Sequence, residues 1–253
     1  IGAARGRGHN GGNFILRTGP NRPLSHYDSY AAFKNYTTPS LGPKHIRRFD
    51  REVWEPGGFR VDHAVLEIGC GTGLFLAYLT AKQVSCLQGI DQDPALAGVV
   101  PEAVRQHFKV ADAKAFIADA HARGDTFDRI ALFDVLEHFD PASGRGLLSA
   151  LRAILAPDGK VVIKVPNAGS PWGQQFQYGD LTHLTAYTPE SMAQQAIAAG
   201  YLCENAWPHR LGSPARQRWE RIVHAILDRV LTTPPGIWDG NFYALLAPVA
   251  EQP

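Results

Sequence analysis

Two groups of residues in this chain have types and spacings that suit chemistry. Asp134, Glu137 and His138 stand within the run Phe133-Asp134-Val135-Leu136-Glu137-His138-Phe139, and His183 follows 45 residues after His138. Carboxylates and imidazoles together make a mixed donor set. It suits Mg²⁺ or Mn²⁺ with positions open to acceptor oxygens, and its imidazoles would also take Zn²⁺ or Fe²⁺. Without a metal, His138 and His183 are the candidate general bases. The second group is built on glycine. Val65-Leu66-Glu67-Ile68 runs into Gly69-Cys70-Gly71-Thr72-Gly73. Glycine permits a tight turn and lets a ligand approach the backbone, so strand, turn and helix make a site for a nucleotide-like molecule. Asp91, 24 residues after Glu67, is a carboxylate that can accept from both hydroxyls of a ribose. No Ser-His-Asp arrangement, C-x-x-C pair or P-loop lysine motif competes.

Alternating strands and helices must position these groups. Strands are expected at Val65–Ile68, Cys86–Asp91, Phe108–Val110, Phe127–Phe133 and Lys160–Val165, with two late ones at Tyr201–Ala206 and Asn241–Pro248. Helices are expected over 72–82, 95–107, 115–122, 142–155 and 189–199. Ahead of the sheet, residues 1–23 are rich in Gly, Arg and Asn and read as a flexible segment. Residues 24–60 read as a helical extension. Tyr27, Tyr30, Phe33 and Tyr36 sit at near-helical spacing as a packed helix or an aromatic lid, and a second helix covers Leu41 to Trp54. A helical insertion is expected over 213–231, where Trp219, Ile222, Val223, Ile226, Leu227, Val230 and Leu231 form one apolar stripe. Its plain reading is a helix docked on the domain. The alternatives are a homodimer face or contact with a lipid-linked acceptor.

The E-x-G-x-G-x-G run from Glu67 to Gly73 resembles the first motif of the class I S-adenosylmethionine-dependent methyltransferases. A dinucleotide fingerprint would instead need a glycine at Leu74. The resemblance spans about residues 61–249 and implies an α/β, seven-stranded Rossmann-like sheet with helices on both faces. It implies S-adenosylmethionine as cofactor, held by Glu67, Gly69, Cys70, Gly71, Gly73, Asp91, Gln92, Asp112, Ala113 and Phe133. Asp112 would accept from the adenine amino group. Val135-Leu136-Glu137-His138 resembles a segment of ubiquinone-type O-methyltransferases that lies beside the methyl donor. The phrase from Tyr178 to Thr185 resembles bacterial methyltransferases of surface-glycan gene sets. That implies O-methylation of a sugar or glycan, free, lipid-linked or nucleotide-linked, with Asn167, Trp172, Gln175, Tyr178 and Asp180 facing the acceptor. The set Asp134, Glu137, His138 and His183 resembles the E-x-x-E-H plus distant histidine of metal-dependent 2′-O-methyltransferases, with Asp134 one methylene shorter than the first glutamate. Phenol-type small molecules, RNA and a non-catalytic cofactor-binding domain are the competing readings.

Composition narrows these. A formal net charge of +1 gives no global field for nucleic acid. Three widely spaced cysteines, Cys70, Cys86 and Cys203, suit reduced thiols in a cytoplasmic setting. No run approaches the roughly 20 apolar residues that span a bilayer, and residues 1–13 show no signal-peptide core. The expected place is therefore the cytoplasm, or the inner face of a membrane if the stripe meets lipid.

Overall fold

The computed structural model describes residues 36–249. The expected elements around Tyr27, Tyr30 and Phe33 lie outside them. Helix α1 (Pro43–Phe49) continues into a wider π-type turn over Asp50–Trp54. The sheet follows: β1 (Ala64–Ile68), β2 (Cys86–Asp91), β3 (Phe108–Val110), β4 (Phe127–Phe133), β5 (Leu155–Pro166), β6 (Tyr201–Pro208) and β7 (Asn241–Pro248). Between them lie α2 (Leu74–Ala81), α3 (Ala113–Arg123), α4 (Pro141–Leu151), the single turn α5 (Gln174–Gln177), α6 (Pro189–Ala198) and α7 (Pro214–Val230).

The strand order is β3-β2-β1-β4-β5-β7-β6. All pairs are parallel except those of β7, which runs antiparallel between β5 and β6. The central strands are apolar almost throughout because both faces are covered. Leu66, Ile130, Leu132 and Ile163 face Phe116 of α3, Leu147 of α4 and Met192 of α6. Val65, Ala131 and Val162, one residue out of phase, face Phe49 of α1 and Phe75, Leu76 and Leu79 of α2. This is the seven-stranded Rossmann-like sheet expected, with helices on both faces.

Two helical expectations need correction. The stretch 95–107 forms two 3₁₀ turns, Pro94–Gly98 and Glu102–His107, rather than one helix. Pro101 has no N–H to donate and its ring clashes with the preceding turn. The helix over 142–155 ends at Leu151, and a 3₁₀ turn over Arg152–Ile154 delivers Leu155 into β5. The insertion helix α7 forms, yet of its apolar stripe within the helix only Leu227 is half-buried. Trp219, Ile222, Ile226 and Val230 are all exposed.

Candidate active site

Both groups singled out by type and spacing emerge at the carboxyl ends of central strands. After β1, the backbone of Gly69, Gly71 and Gly73 is left-handed, with φ of 70°, 53° and 79°, a region that penalises any Cβ. The amides of Gly69 and Cys70 donate to the Ile90 carbonyl at 2.8 and 3.0 Å, which ties the turn to β2. A Cβ on Gly71 would meet no heavy atom within 4 Å, so this glycine opens onto free space. A Cβ on Gly69 would collide with Val135 Cγ2, so the turn after β1 abuts the turn after β4.

Asp91 ends β2 and is held by two amides. Gly71 N–H donates to Oδ2 at 2.9 Å and Asp93 N–H to Oδ1 at 3.0 Å. Each carboxylate oxygen keeps a lone pair for a ligand. Burial raises the Asp91 pKa, while the amides pull it back. Glu67 lies beneath, almost wholly buried, and its Oε2 has no hydrogen-bond partner. Burial pushes its carboxyl well above the usual range; the Asp91 charge adds to this and Lys164 offsets part. An orphaned buried carboxyl oxygen beside an open glycine turn suits a cationic ligand group. Burial also pushes up the pKa of the Cys70 thiol, with Glu67 and Asp91 adding, so it stays protonated and is no nucleophile.

The remaining residues expected around the cofactor are less engaged. Gln92 is exposed just beyond β2. Asp112 is the N-cap of α3, with Oδ1 accepting from Ala115 N–H at 2.9 Å, and Ala113 opens that helix. The cap leaves Oδ2 as an acceptor. Phe133 ends β4, edge-on to Phe75 and Tyr243 with centroids 5.0 and 5.9 Å away.

After β4 the chain makes a 3₁₀ turn over Leu136–His138. Loop 177–185 is clamped onto it: Leu184 and Thr185 N–H donate to the Glu137 carbonyl at 2.8 and 3.1 Å, and Thr185 Oγ1 donates to the Phe139 carbonyl at 2.6 Å. This closes the 45-residue gap in sequence. One ligand atom each from Glu137, His138 and His183 lie within 4.8 Å of one another. His183 Nε2 is 4.0 Å from Glu137 Oε1, and the two imidazoles meet edge to face at 4.7 Å. Glu137 is fully buried.

Hydrogen bonds fix both rings. His183 Nδ1 lies 3.0 Å from the Gln177 carbonyl. His138 Nδ1 lies 3.3 Å from the Thr182 carbonyl and 2.9 Å from Thr182 Oγ1. A carbonyl can only accept, so the network assigns the proton to Nδ1 on both rings and leaves each Nε2 with its lone pair. Thr182 Oγ1 in turn donates to Asp180 Oδ1 at 2.6 Å. Neither Thr182, although it stands in the Tyr178–Thr185 phrase, nor Gln177 is given a role by the sequence alone; the Asp180-x-Thr182 spacing, which favours a local side-chain turn, was the signal for the first.

Three expected residues fall elsewhere. Asp134 has a left-handed backbone (φ 56°), and its carboxylate pairs with Lys164 at 2.5 Å rather than joining Glu137 and the histidines. Asn167 is buried, donating to the Ile237 and Asp239 carbonyls and accepting from Gly169 N–H, so it braces a loop instead of facing an acceptor. Asp180 is buried against Thr182 and positions it. Trp172, Gln175 and Tyr178 do lie on the exposed loop surface.

The model of a family described as a methyltransferase domain matches residues 24–205, well over half of the chain. The chain belongs to that family. Among solved structures, the methyltransferase resembles a SAM-dependent methyltransferase from Archaeoglobus fulgidus at 20% identity and a TM-score of 0.61, over 88% of this chain and 99% of that one. It resembles DhpI in complex with SAH at 12% identity and 0.58, over 89% and 94%. It also resembles the mitomycin 7-O-methyltransferase MmcR at 13% identity and 0.51, over 73% of this chain but only 48% of MmcR. At these identities the likeness is one of fold. No curated protein matches the chain.

Proposed function

We propose that this methyltransferase uses S-adenosylmethionine to methylate a hydroxyl of a sugar or glycan. The observation that carries this reading is the cluster of Glu137 and His138, on a turn that abuts the glycine turn, with His183 from the loop clamped onto it. The open space at Gly71, the Asp91 lone pairs and the orphaned Glu67 oxygen fit a ribose and an α-amino group. The cofactor supplies an electrophilic methyl carbon. The protein's part is largely to hold donor and acceptor in line and exclude water, which accounts for much of the barrier in such displacements.

A sugar hydroxyl is too weakly acidic to attack without losing its proton. Two Nε2 lone pairs and a buried carboxylate supply what it lacks. These groups would hold a divalent cation that makes a bound hydroxyl more acidic; donor types and fixed Nδ1–H tautomers both fit a metal's needs. Asp134, engaged by Lys164, is left out of the ligand set. Exposed Trp172 and Tyr178 offer aromatic faces to a sugar ring, with Gln175 beside them.

Methyl transfer from labelled cofactor to sugar, phenol and RNA panels, before and after dialysis against a chelator, tests the reading. Transfer to a sugar hydroxyl that is lost with the metal and restored by Mg²⁺ or Mn²⁺ is expected. Full activity without metal would assign the proton to His183 or His138 alone. Transfer only to phenols or RNA would overturn the acceptor class.

A further inference from the structure

Helix α7 is amphipathic the wrong way round. At 100° per residue, Trp219, Ile222, Val223, Ile226 and Val230 share one arc of about 100°, and between 49% and 73% of each is exposed. The opposite arc, with Gln217, Glu220, His224 and Asp228, faces the domain across a cleft of about 430 Å³. His224 stacks on Trp238 at 4.9 Å, and Trp238 Nε1 donates to Asp228 Oδ1 at 2.8 Å. The polar face is thus the anchored one and the apolar face is turned to solvent. This helix lies beyond residues 24–205, so membership of the family does not account for it.

Charge decides what would cover the stripe. Arg218 and Arg229 flank it beside Ile222, and Arg216 flanks it beside Val223. The two acids of the helix are engaged within the chain, Glu220 by Arg216 at 3.1 Å and Asp228 by Trp238. A second copy meeting this face would bring arginine against arginine with no acid on the helix to receive it. Residues 1–35 carry four arginines and a lysine against the single acid Asp28, so they do not complement it either. A surface both apolar and negatively charged does. The helix has 17 residues, about 25 Å at 1.5 Å per residue, and no helix among the described residues is long and apolar enough to cross a membrane.

We infer that α7 lies in the plane of an anionic lipid surface, with Trp219, Ile222 and Ile226 among the acyl chains and the arginines on the phosphates. Trp172 Nε1 donates to His224 Nε2 at 3.3 Å, so the loop proposed to receive the acceptor is joined to the docked helix. The docking itself does not depend on the proposed activity.

Flotation of the full chain with vesicles tests this, using phosphatidylcholine alone or mixed equally with phosphatidylglycerol. Binding to the mixed vesicles only, weakened by salt, is expected. The double substitution R218Q/R229Q should lower the partition constant about 30-fold, and W219S/I226S should abolish binding, with circular dichroism unchanged because all four side chains are exposed. Equal binding to both vesicles, or none by the wild type, would overturn the inference. So would a concentration-dependent dimer in sedimentation that W219S/I226S dissolves, which would make the stripe a contact between copies. Cofactor affinity measured by calorimetry should be the same in every variant, which separates failure of docking from failure of the site.

Discussion

The glycine turn after β1 and the histidine cluster after β4 abut, yet they are built differently. The glycine turn is backbone: three left-handed residues, amides tied to β2, and one strand-end carboxylate fixed by amides. The histidine cluster is side chains held by a distant loop, each ring oriented by a carbonyl or hydroxyl from residues 177–182. The first kind of construction positions a ligand, and the second positions a lone pair. A change in one should therefore alter affinity and a change in the other turnover.

The sharpest separation is expected at His183. His183→Ala should lower methyl transfer by about 10²–10⁴-fold with the cofactor dissociation constant unchanged in calorimetry; weakened cofactor binding would break the division. Gly69→Ala should break it deliberately. Its Cβ would meet both a left-handed backbone and Val135, and a stability loss of about 3 kcal/mol in denaturant titration is expected, with both half-sites disturbed. Asp91→Ala should weaken cofactor binding by about 1.5–3 kcal/mol, with turnover at saturating cofactor close to wild type. Thr182→Val removes the hydroxyl behind His138 but keeps the Thr182 carbonyl, so affinity for the proposed metal should fall only about 10-fold, measured by competition with a chelating dye.

The smallest effect concerns acidity beneath the glycine turn. The Glu67 pKa is raised in the folded state, so its contribution to stability is full below the ordinary value of 4.5 and is lost as pH rises through the folded-state value. Glu67→Gln cannot ionise. Its melting temperature without cofactor should gain on wild type progressively above pH 4.5, and a difference that stays flat with pH would contradict this.

That same contrast decides what could be read without the fold. Four of the strands, the glycine turn and Asp91 are local, and their residue types state their conformation; β2, β3, β4 and β7 have the bounds expected. Glu137, His138 and His183 were legible as chemistry, although what joins them was not. The clamp at the Glu137 carbonyl is made by backbone N–H groups that every residue carries. Asp134 and Asn167 were misplaced because their partners, Lys164 and the carbonyls of Ile237 and Asp239, lie 30 or more residues away. For α7 the stripe was visible, but which face meets the domain depends on Trp238 and His224 stacking across a turn.

The position of β7 carries a consequence for synthesis. The last strand lies between β5 and β6, pairing Val161 with Leu246 and Tyr201 with Pro248. Until residues 241–248 leave the ribosome, β5 and β6 each present an open edge, the kind of surface on which chains stick to one another. Pairing across so long a separation is also slow. Asn167 stays unbraced for most of that interval, until residues 237–240 are made, because its side-chain amide donates to the Ile237 and Asp239 carbonyls and its backbone N–H to that of Gly240. A nascent chain that stalls before Ile237 is therefore both aggregation-prone and without the contacts that brace the loop at Asn167.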